Sequence, residues 1–215
     1  MKILAMSIPL RTAVLCGAVV LLASGCNRKE DNTLNFSNAI NTYYSAHPDC
    51  LWSESIKFPV QANTSDASKT SGYDALVDQG LLVRTTAEKK VLIIASKQVN
   101  NYDLSDKGRA AWTADVNQPG FGNFCYGHRK VSSIDSATPT TSAVGATTQV
   151  NYRYTVADAA AWASAAETQN AYPQVQSELA APQNGHATLT NTSNGWQVSS
   201  VGATNTSGND GKIVE

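Results

Sequence analysis

Residues 148–156 have the sequence TQVNYRYTV, in which apolar or aromatic side chains alternate with polar ones. Val150, Tyr152 and Tyr154 occupy every second position, so in an extended chain all three project from the same face. The pattern predicts a β-strand with one face on a core and the other in solvent. Such a strand needs partner strands and a covering layer, and the flanking sequence supplies candidates for both.

The remaining elements of the chain's second half, residues 120–201, follow from turn and capping signals. The tetrapeptide TVAD at 155–158 has the form of a helix-capping box, and Asn-Gly pairs at 184–185 and 194–195 are typical of turns. The predicted elements are a strand over 121–134, helices over 157–167 and 173–179, and an antiparallel pair of strands over 186–190 and 196–200. The order ββααββ predicts an α+β domain with one antiparallel sheet packed on helices.

The first half, residues 36–115, also mixes helices and short strands. Apolar side chains at helical spacing predict a helix over 34–46, which Pro48 ends because the residue before a proline avoids the helical conformation. A polar loop is expected over 63–71, and Ser105 is a predicted helix N-cap. The other predicted elements are a helix over 73–79, strands over 81–83, 91–95 and 102–104, and a helix over 107–112.

The N-terminus has the pattern of a signal peptide. Lys2 and Arg11 precede an apolar run at 13–23 that is too short to span a bilayer about 30 Å thick. The run ends in LASGC at 22–26, which resembles the lipobox of bacterial lipoproteins. The resemblance implies cleavage after residue 25 and attachment of fatty acyl chains, such as palmitate, to Cys26.

A lipidated Cys26 would anchor the protein to the lipid bilayer, because two or three acyl chains bind stably where one binds marginally. By resemblance to lipoprotein sorting, Asn27 in place of an aspartate favours the periplasmic face of the outer membrane over retention at the inner membrane. Residues 26–35 are expected to form a polar tether and residues 202–215 a flexible tail. A short membrane anchor, or a conventional signal peptide with an incidental cysteine, is the alternative.

Two cysteines remain after processing, because Cys16 leaves with the signal peptide and Cys26 carries the lipid. Cys50 and Cys125 would then share an oxidising compartment, where the expected outcome is one disulfide joining the two halves. His47 and His128 each lie three residues from one of these cysteines, so a Cys₂His₂ metal site is conceivable. A nucleophilic cysteine is a further alternative.

Residues 70–112 contain two short motifs separated by an apolar strand. LVDQGLL at 76–82 and YDLSDKGR at 102–109 resemble the sequences around the wing of winged-helix proteins. The resemblance implies a winged-helix-like fold for this part of the chain, and DNA binding only by analogy.

The charge distribution argues against a nucleic-acid partner. Residues 66–115 contain seven basic and seven acidic side chains, whereas DNA binding needs a concentrated positive face. After removal of residues 1–25 the chain has 14 basic and 17 acidic residues, so it has no excess of positive charge. A signal peptide would also direct the domain away from the genome.

No motif indicates a cofactor, a metal or a known catalytic apparatus. His128 and Arg129, on a predicted strand, are the weak candidates for a ligand site, and a cleft that also included Glu167 would favour a hydrolase or a small-ligand carrier. The leading hypothesis is a non-enzymatic envelope lipoprotein that binds an envelope protein or a cell-wall partner. The alternative is an envelope hydrolase or a small-ligand carrier with a pocket between helix 157–167 and the sheet.

Overall fold

The computed structural model describes residues 30–92, 95–180 and 182–203. The predictions for the signal peptide and Cys26, and nearly all of the predicted tail, lie outside these residues. Within them the protein has a mixed α and β fold with two antiparallel sheets, as the sequence predicts at this level. No helix in the described part of the chain is long and apolar enough to cross a membrane.

Helices and strands alternate irregularly along the chain. The helices are α1 Thr33–Ala46, α2 Ala67–Asp78, α3 Asp106–Ala111, α4 Ala166–Ala171 and α5 Pro173–Ala180, with a 3₁₀ turn at Ala161–Ser164. The strands are β1 Asp49–Cys50, β2 Val60–Asn63, β3 Leu82–Leu92, β4 Ala95–Leu104, β5 Trp112–Ala114, β6 Gly122–Ala137, β7 Thr147–Ala157, β8 Gln183–Thr192 and β9 Gly195–Ala203.

The larger sheet is a curled antiparallel meander that holds α1 against its inner face. Its strand order is β1-β6-β7-β8-β9, and β5 also pairs with β6. Val150, Tyr152 and Tyr154 of β7 are buried as their alternation predicts, and they pack in one core with Phe36 and Ile40 of α1. Because α1 contacts both β6 and β9, the sheet curls around this helix.

The smaller sheet has the order β2-β4-β3 and shares a second core with the larger one. Leu76 of α2, Leu82 of β3 and Tyr102 of β4 are almost fully buried there. Phe124 of β6 and Trp162 of the 3₁₀ turn belong to the same core. The two sheets are therefore joined by side-chain packing as well as by the chain.

The predicted helix over 157–167 is wrong. Strand β7 continues through Ala157, because its residues pair with β6 as far as His128 opposite Ala157. Asp158 then adopts a positive φ of 51°, and the chain makes only a 3₁₀ turn before α4. Sheet pairing outweighs the local capping signal, since Thr155 lies inside the β6–β7 ladder.

Two turn predictions are also wrong. The predicted loop over 63–71 includes the first residues of α2, which begins at Ala67. The Asn-Gly pair at 184–185 lies inside β8 rather than at a turn. Gly185 is needed there because a Cβ at this position would overlap the ring of Tyr152 on the neighbouring strand.

The β3–β4 hairpin is much longer than the short strands predicted at 81–83 and 91–95. Its polar residues 84–90 continue the strand, because they pair with β4 throughout. Ser105 does cap α3, accepting a hydrogen bond from the Gly108 amide at 2.8 Å. Trp112 was expected to end that helix but begins β5, opposite Phe124.

Candidate functional site

Arg129 lies at the centre of a cluster of charged and aromatic side chains. Its Nη2 is 3.0 Å from the Asp49 carboxylate and 3.7 Å from that of Glu178. Its guanidinium carbon lies 5.3 Å and 4.7 Å from the ring centroids of Tyr44 and Tyr154, within the range of cation–π attraction. Strands β1, β6 and β7 and helices α1 and α5 each contribute one of these residues.

Burial and neighbouring charges shift the pKa of two members of this cluster, Arg129 and Tyr154. Burial opposes the charge on Arg129, but the attractions of Asp49, Tyr154 and Glu178 together outweigh that effect, so the pKa of Arg129 lies above its usual value. Burial also raises the pKa of Tyr154, whose hydroxyl donates a 3.0 Å hydrogen bond to Glu178. The guanidinium is thus satisfied within the protein, and we interpret the cluster as a structural junction.

The three residues proposed for a common cleft contact different partners. The His128 Nε2 is 3.7 Å from the carboxylate of Asp158, a side chain that is 85% exposed. Glu167 accepts a long hydrogen bond of 3.5 Å from Gln79. Neither contact involves the partners of Arg129.

Cys50 and Cys125 form a disulfide in the structure. The two residues are directly opposite each other on β1 and β6, with Cα atoms 3.8 Å apart, closer than in most disulfides. Both sulfur atoms are used in this bond, so neither is available here as a metal ligand or a nucleophile. In the ranges that the structure describes, no group of three or more His, Cys, Asp or Glu residues is arranged to hold a metal ion.

The space beneath residues 157–167, where the alternative hypothesis places a ligand pocket, is filled by side chains. Trp162 is 7% exposed and Ala163 is fully buried. The Trp162 ring packs edge-to-face on both Phe124 and Tyr126. The hydrophobic core therefore occupies the position that the alternative hypothesis gave to a ligand.

An open groove lies between α1 and β9. It has a volume of about 700 Å³ and is lined by amides, hydroxyls, two aromatic rings and two aliphatic side chains, with no charged residue: Asn35, Asn38, Ala39, Asn41, Thr42, Tyr43, Ser45, Asn194, Trp196, Gln197 and Val198. None of the sites predicted from the sequence lies in this groove. The sequence feature that could have indicated the groove is the composition of α1, which contains no charged residue although part of the helix faces solvent.

A smaller groove of about 310 Å³ lies where α2 and β2 meet the chain before α5. Trp52, Tyr73 and Tyr172 form its aromatic walls, and Lys69 contributes a positive charge. Burial raises the pKa of Tyr172 above its usual value. A Cβ added at Gly72 would lie 2.8 Å from the Tyr172 hydroxyl oxygen, so the Tyr172 ring would have to shift to accommodate it.

Comparison of the chain with known protein families, with curated proteins and with solved structures gives no match.

Proposed function

We propose that this protein is a non-enzymatic lipoprotein of the bacterial envelope, anchored through acylated Cys26 at the periplasmic face of the outer membrane. Its described part would present a binding surface to an envelope protein or a cell-wall component. The observation that carries the proposal is the filled core beneath residues 157–167, where Trp162 and Ala163 take the place of a ligand pocket. The ion pairs of Arg129 with Asp49 and Glu178 support the proposal further, because the guanidinium is already paired within the protein.

We also propose a finer description of the fold in two parts. Residues 70–112 would be a winged-helix-like unit, supported by the succession of helix α2, the β3–β4 hairpin and helix α3. Residues 120–201 would be a ββααββ unit, supported by the order of β6, β7, α4, α5, β8 and β9. Helix α1 precedes the first unit in sequence but packs on the sheet of the second unit. The two hydrophobic cores therefore do not correspond to the two halves of the chain.

The anchor is tested by mass spectrometry of the mature protein. Wild-type protein should begin at Cys26 and carry fatty acyl chains, and Cys26→Ser should accumulate as an unlipidated precursor. A mature protein that begins elsewhere and lacks lipid would contradict this part of the proposal.

The binding role is tested by photo-crosslinking in intact cells. A photoreactive amino acid placed at exposed positions over the whole described surface should give, from one contiguous face, a reproducible crosslink to an envelope protein or to peptidoglycan. The matched control is the same set of positions in the Cys26→Ser protein, which would not reach the outer membrane. Turnover of an envelope substrate by the purified protein would overturn the non-enzymatic assignment.

A further inference from the structure

We propose that the edge of β9 is a binding site for an extended, uncharged peptide segment of a partner protein, which adds to the larger sheet as a further strand beside α1. This inference rests on the proposed function and specifies how a protein partner would be bound. It goes beyond that function because it names one surface and one mode of recognition, namely hydrogen bonding to the main chain of β9.

The hydrogen bonds of the neighbouring strand show which way the main chain of β9 points. Asn191 of β8 uses both its amide and its carbonyl on the side away from β9, with Ala146 and Gly145. Asn191 is paired with Trp196, so this pair is not hydrogen bonded between β8 and β9. The amide and carbonyl of Trp196 therefore point outward from the sheet edge. The same alternation turns the amide and carbonyl of Val198 outward.

The long edge strands of the two sheets differ in how they are protected. The edge strand β3 contains Arg84, Glu88, Lys89 and Lys90, and charged side chains are a usual defence of a sheet edge against added strands. The edge strand β9, with the sequence GWQVSSVGA, contains no charged residue and no proline. A β-bulge opposite Thr188 and Leu189 interrupts β9 only after Val198. Among the residues that the structure describes, no further strand pairs with the regular part of β9, which is thus an edge available for strand addition.

The dimensions and chemistry of the groove fit such an added strand. Residues 35–45 of α1 form its opposite wall and extend over roughly 15 Å, at 1.5 Å per helical residue. That length matches about four or five residues of an extended chain. The amides of Asn38 and Gln197 are exposed and can both donate and accept hydrogen bonds. The lining offers no counter-charge, so an uncharged segment is the expected occupant.

The test begins with a displayed library of random ten-residue peptides, selected on the mature full-length protein. Selected sequences, made as synthetic peptides, should bind to the wild type. Val198→Pro should weaken their Kd at least tenfold, because proline removes an outward amide while leaving the β8–β9 ladder intact. Val198→Ala is the matched control, since it shortens the side chain but keeps the amide, and it should change Kd less than threefold. Thermal melting establishes that both variants fold.

Two further measurements separate strand addition from other modes of binding. Methylation of successive backbone nitrogens in the peptide should abolish binding at every second position, which is the period of a strand. Asn38→Arg, which places a long charged side chain in the groove, should weaken binding, whereas Leu34→Arg on exposed helix surface should not.

Several results would overturn the proposal. These are the absence of any selected peptide, equal loss of binding in Val198→Pro and Val198→Ala, or no alternation in the methylation series. Binding of peptidoglycan fragments in place of peptides would assign the groove to a glycan, and a dimer that Val198→Pro dissociates would assign it to a second copy of the chain. A crosslinked envelope partner mapped to a different face would overturn this site and leave the proposed function standing.

Discussion

Arg129 and Asp49 are 80 residues apart in sequence, yet the arginine Nε lies 3.1 Å from one carboxylate oxygen of the aspartate and 3.2 Å from the other. Both side chains are mostly buried, at 24% and 15% exposed. The pair lies beside the Cys50–Cys125 disulfide, because Asp49 precedes Cys50 on β1 and Arg129 follows Cys125 on β6. A covalent and an ionic link thus hold the same two strands together.

Loss of Arg129 should destabilise the fold substantially. Arg129→Met leaves Asp49 and Glu178 without their cation, and breaking a largely buried pair in this way costs about 2–4 kcal/mol of unfolding free energy. The matched control is Arg153→Met, which breaks an exposed pair with Asp135 and should cost no more than about 1 kcal/mol. Urea denaturation measures the unfolding free energy of both variants. If the two variants cost the same, Arg129 has no special structural role.

The coupling between Arg129 and Asp49 can be measured by a double-mutant cycle. Asp49→Asn removes the anion and should destabilise the protein alone, but it should cost less in the Arg129→Met background. A coupling energy of about 1 kcal/mol or more is expected from the unfolding free energies of the four proteins. Strictly additive effects would mean that the observed contact contributes nothing to stability.

Removal of the disulfide should lower stability by a similar amount in three variants. Cys50→Ala, Cys125→Ala and the double substitution all lose the same bond, which closes a loop across a separation of 75 residues. The chain-entropy relation gives about 4 kcal/mol for such a loop. Thermal unfolding without reductant measures the loss, and wild type with reductant should match the variants. A double variant much less stable than either single variant would show that the cysteines act separately.

Stability should fall as the pH rises above about 10. Burial raises the pKa of Tyr126, Tyr152, Tyr154 and Tyr172 in the folded protein, whereas the same groups ionise near pH 10 when unfolded. Above that pH the folded state binds more protons than the unfolded state, so the unfolding free energy decreases with pH. Each tyrosine contributes a slope of up to about 1.4 kcal/mol per pH unit.

The decrease of the unfolding free energy with pH should become shallower in Tyr152→Phe, because one ionisable group is removed. This variant also loses the 2.9 Å hydrogen bond between the Tyr44 and Tyr152 hydroxyls, which lowers stability at neutral pH as well. The slope between pH 10 and 11.5, measured by urea denaturation, therefore separates the two effects. An unchanged slope would mean that Tyr152 ionises alike in the folded and unfolded states.

Gly108→Ala should destabilise the protein although alanine favours helices. Gly108 lies in α3 with its Cα against the turn after Gly80, and an added Cβ would overlap the carbonyl oxygen of Leu81. Relief of this overlap requires backbone movement, with an expected cost of about 3 kcal/mol that exceeds the helix-propensity gain of about 1 kcal/mol. Gly202→Ala is the control, because a Cβ there meets open space. A neutral effect at Gly108 would contradict the close packing of α3.

The sequence alone determined the elements whose signals are local. Alternation in residues 148–156 located β7, the His47-Pro48 pair ended α1, and Ser105 capped α3. The disulfide was predicted from a count, because only Cys50 and Cys125 remain if residues 1–25 are removed and Cys26 is lipidated as the sequence predicts. Each of these secondary-structure features is caused by residues within one short stretch of sequence. The disulfide required only the number of available cysteines.

Other features depend on contacts between segments that are distant in sequence, and local patterns do not predict them. Residues 157–167 have a capping signal but follow the sheet, because β6 offers β7 continuous pairing as far as Ala157. The Arg129 cluster joins five separate elements, and no local pattern indicates that Asp49, Tyr44 and Glu178 meet there. The α1–β9 groove arises because the sheet curls around the helix. These outcomes are set by burial and pairing between distant segments, and the free energy of such contacts exceeds the small local preferences that sequence patterns report.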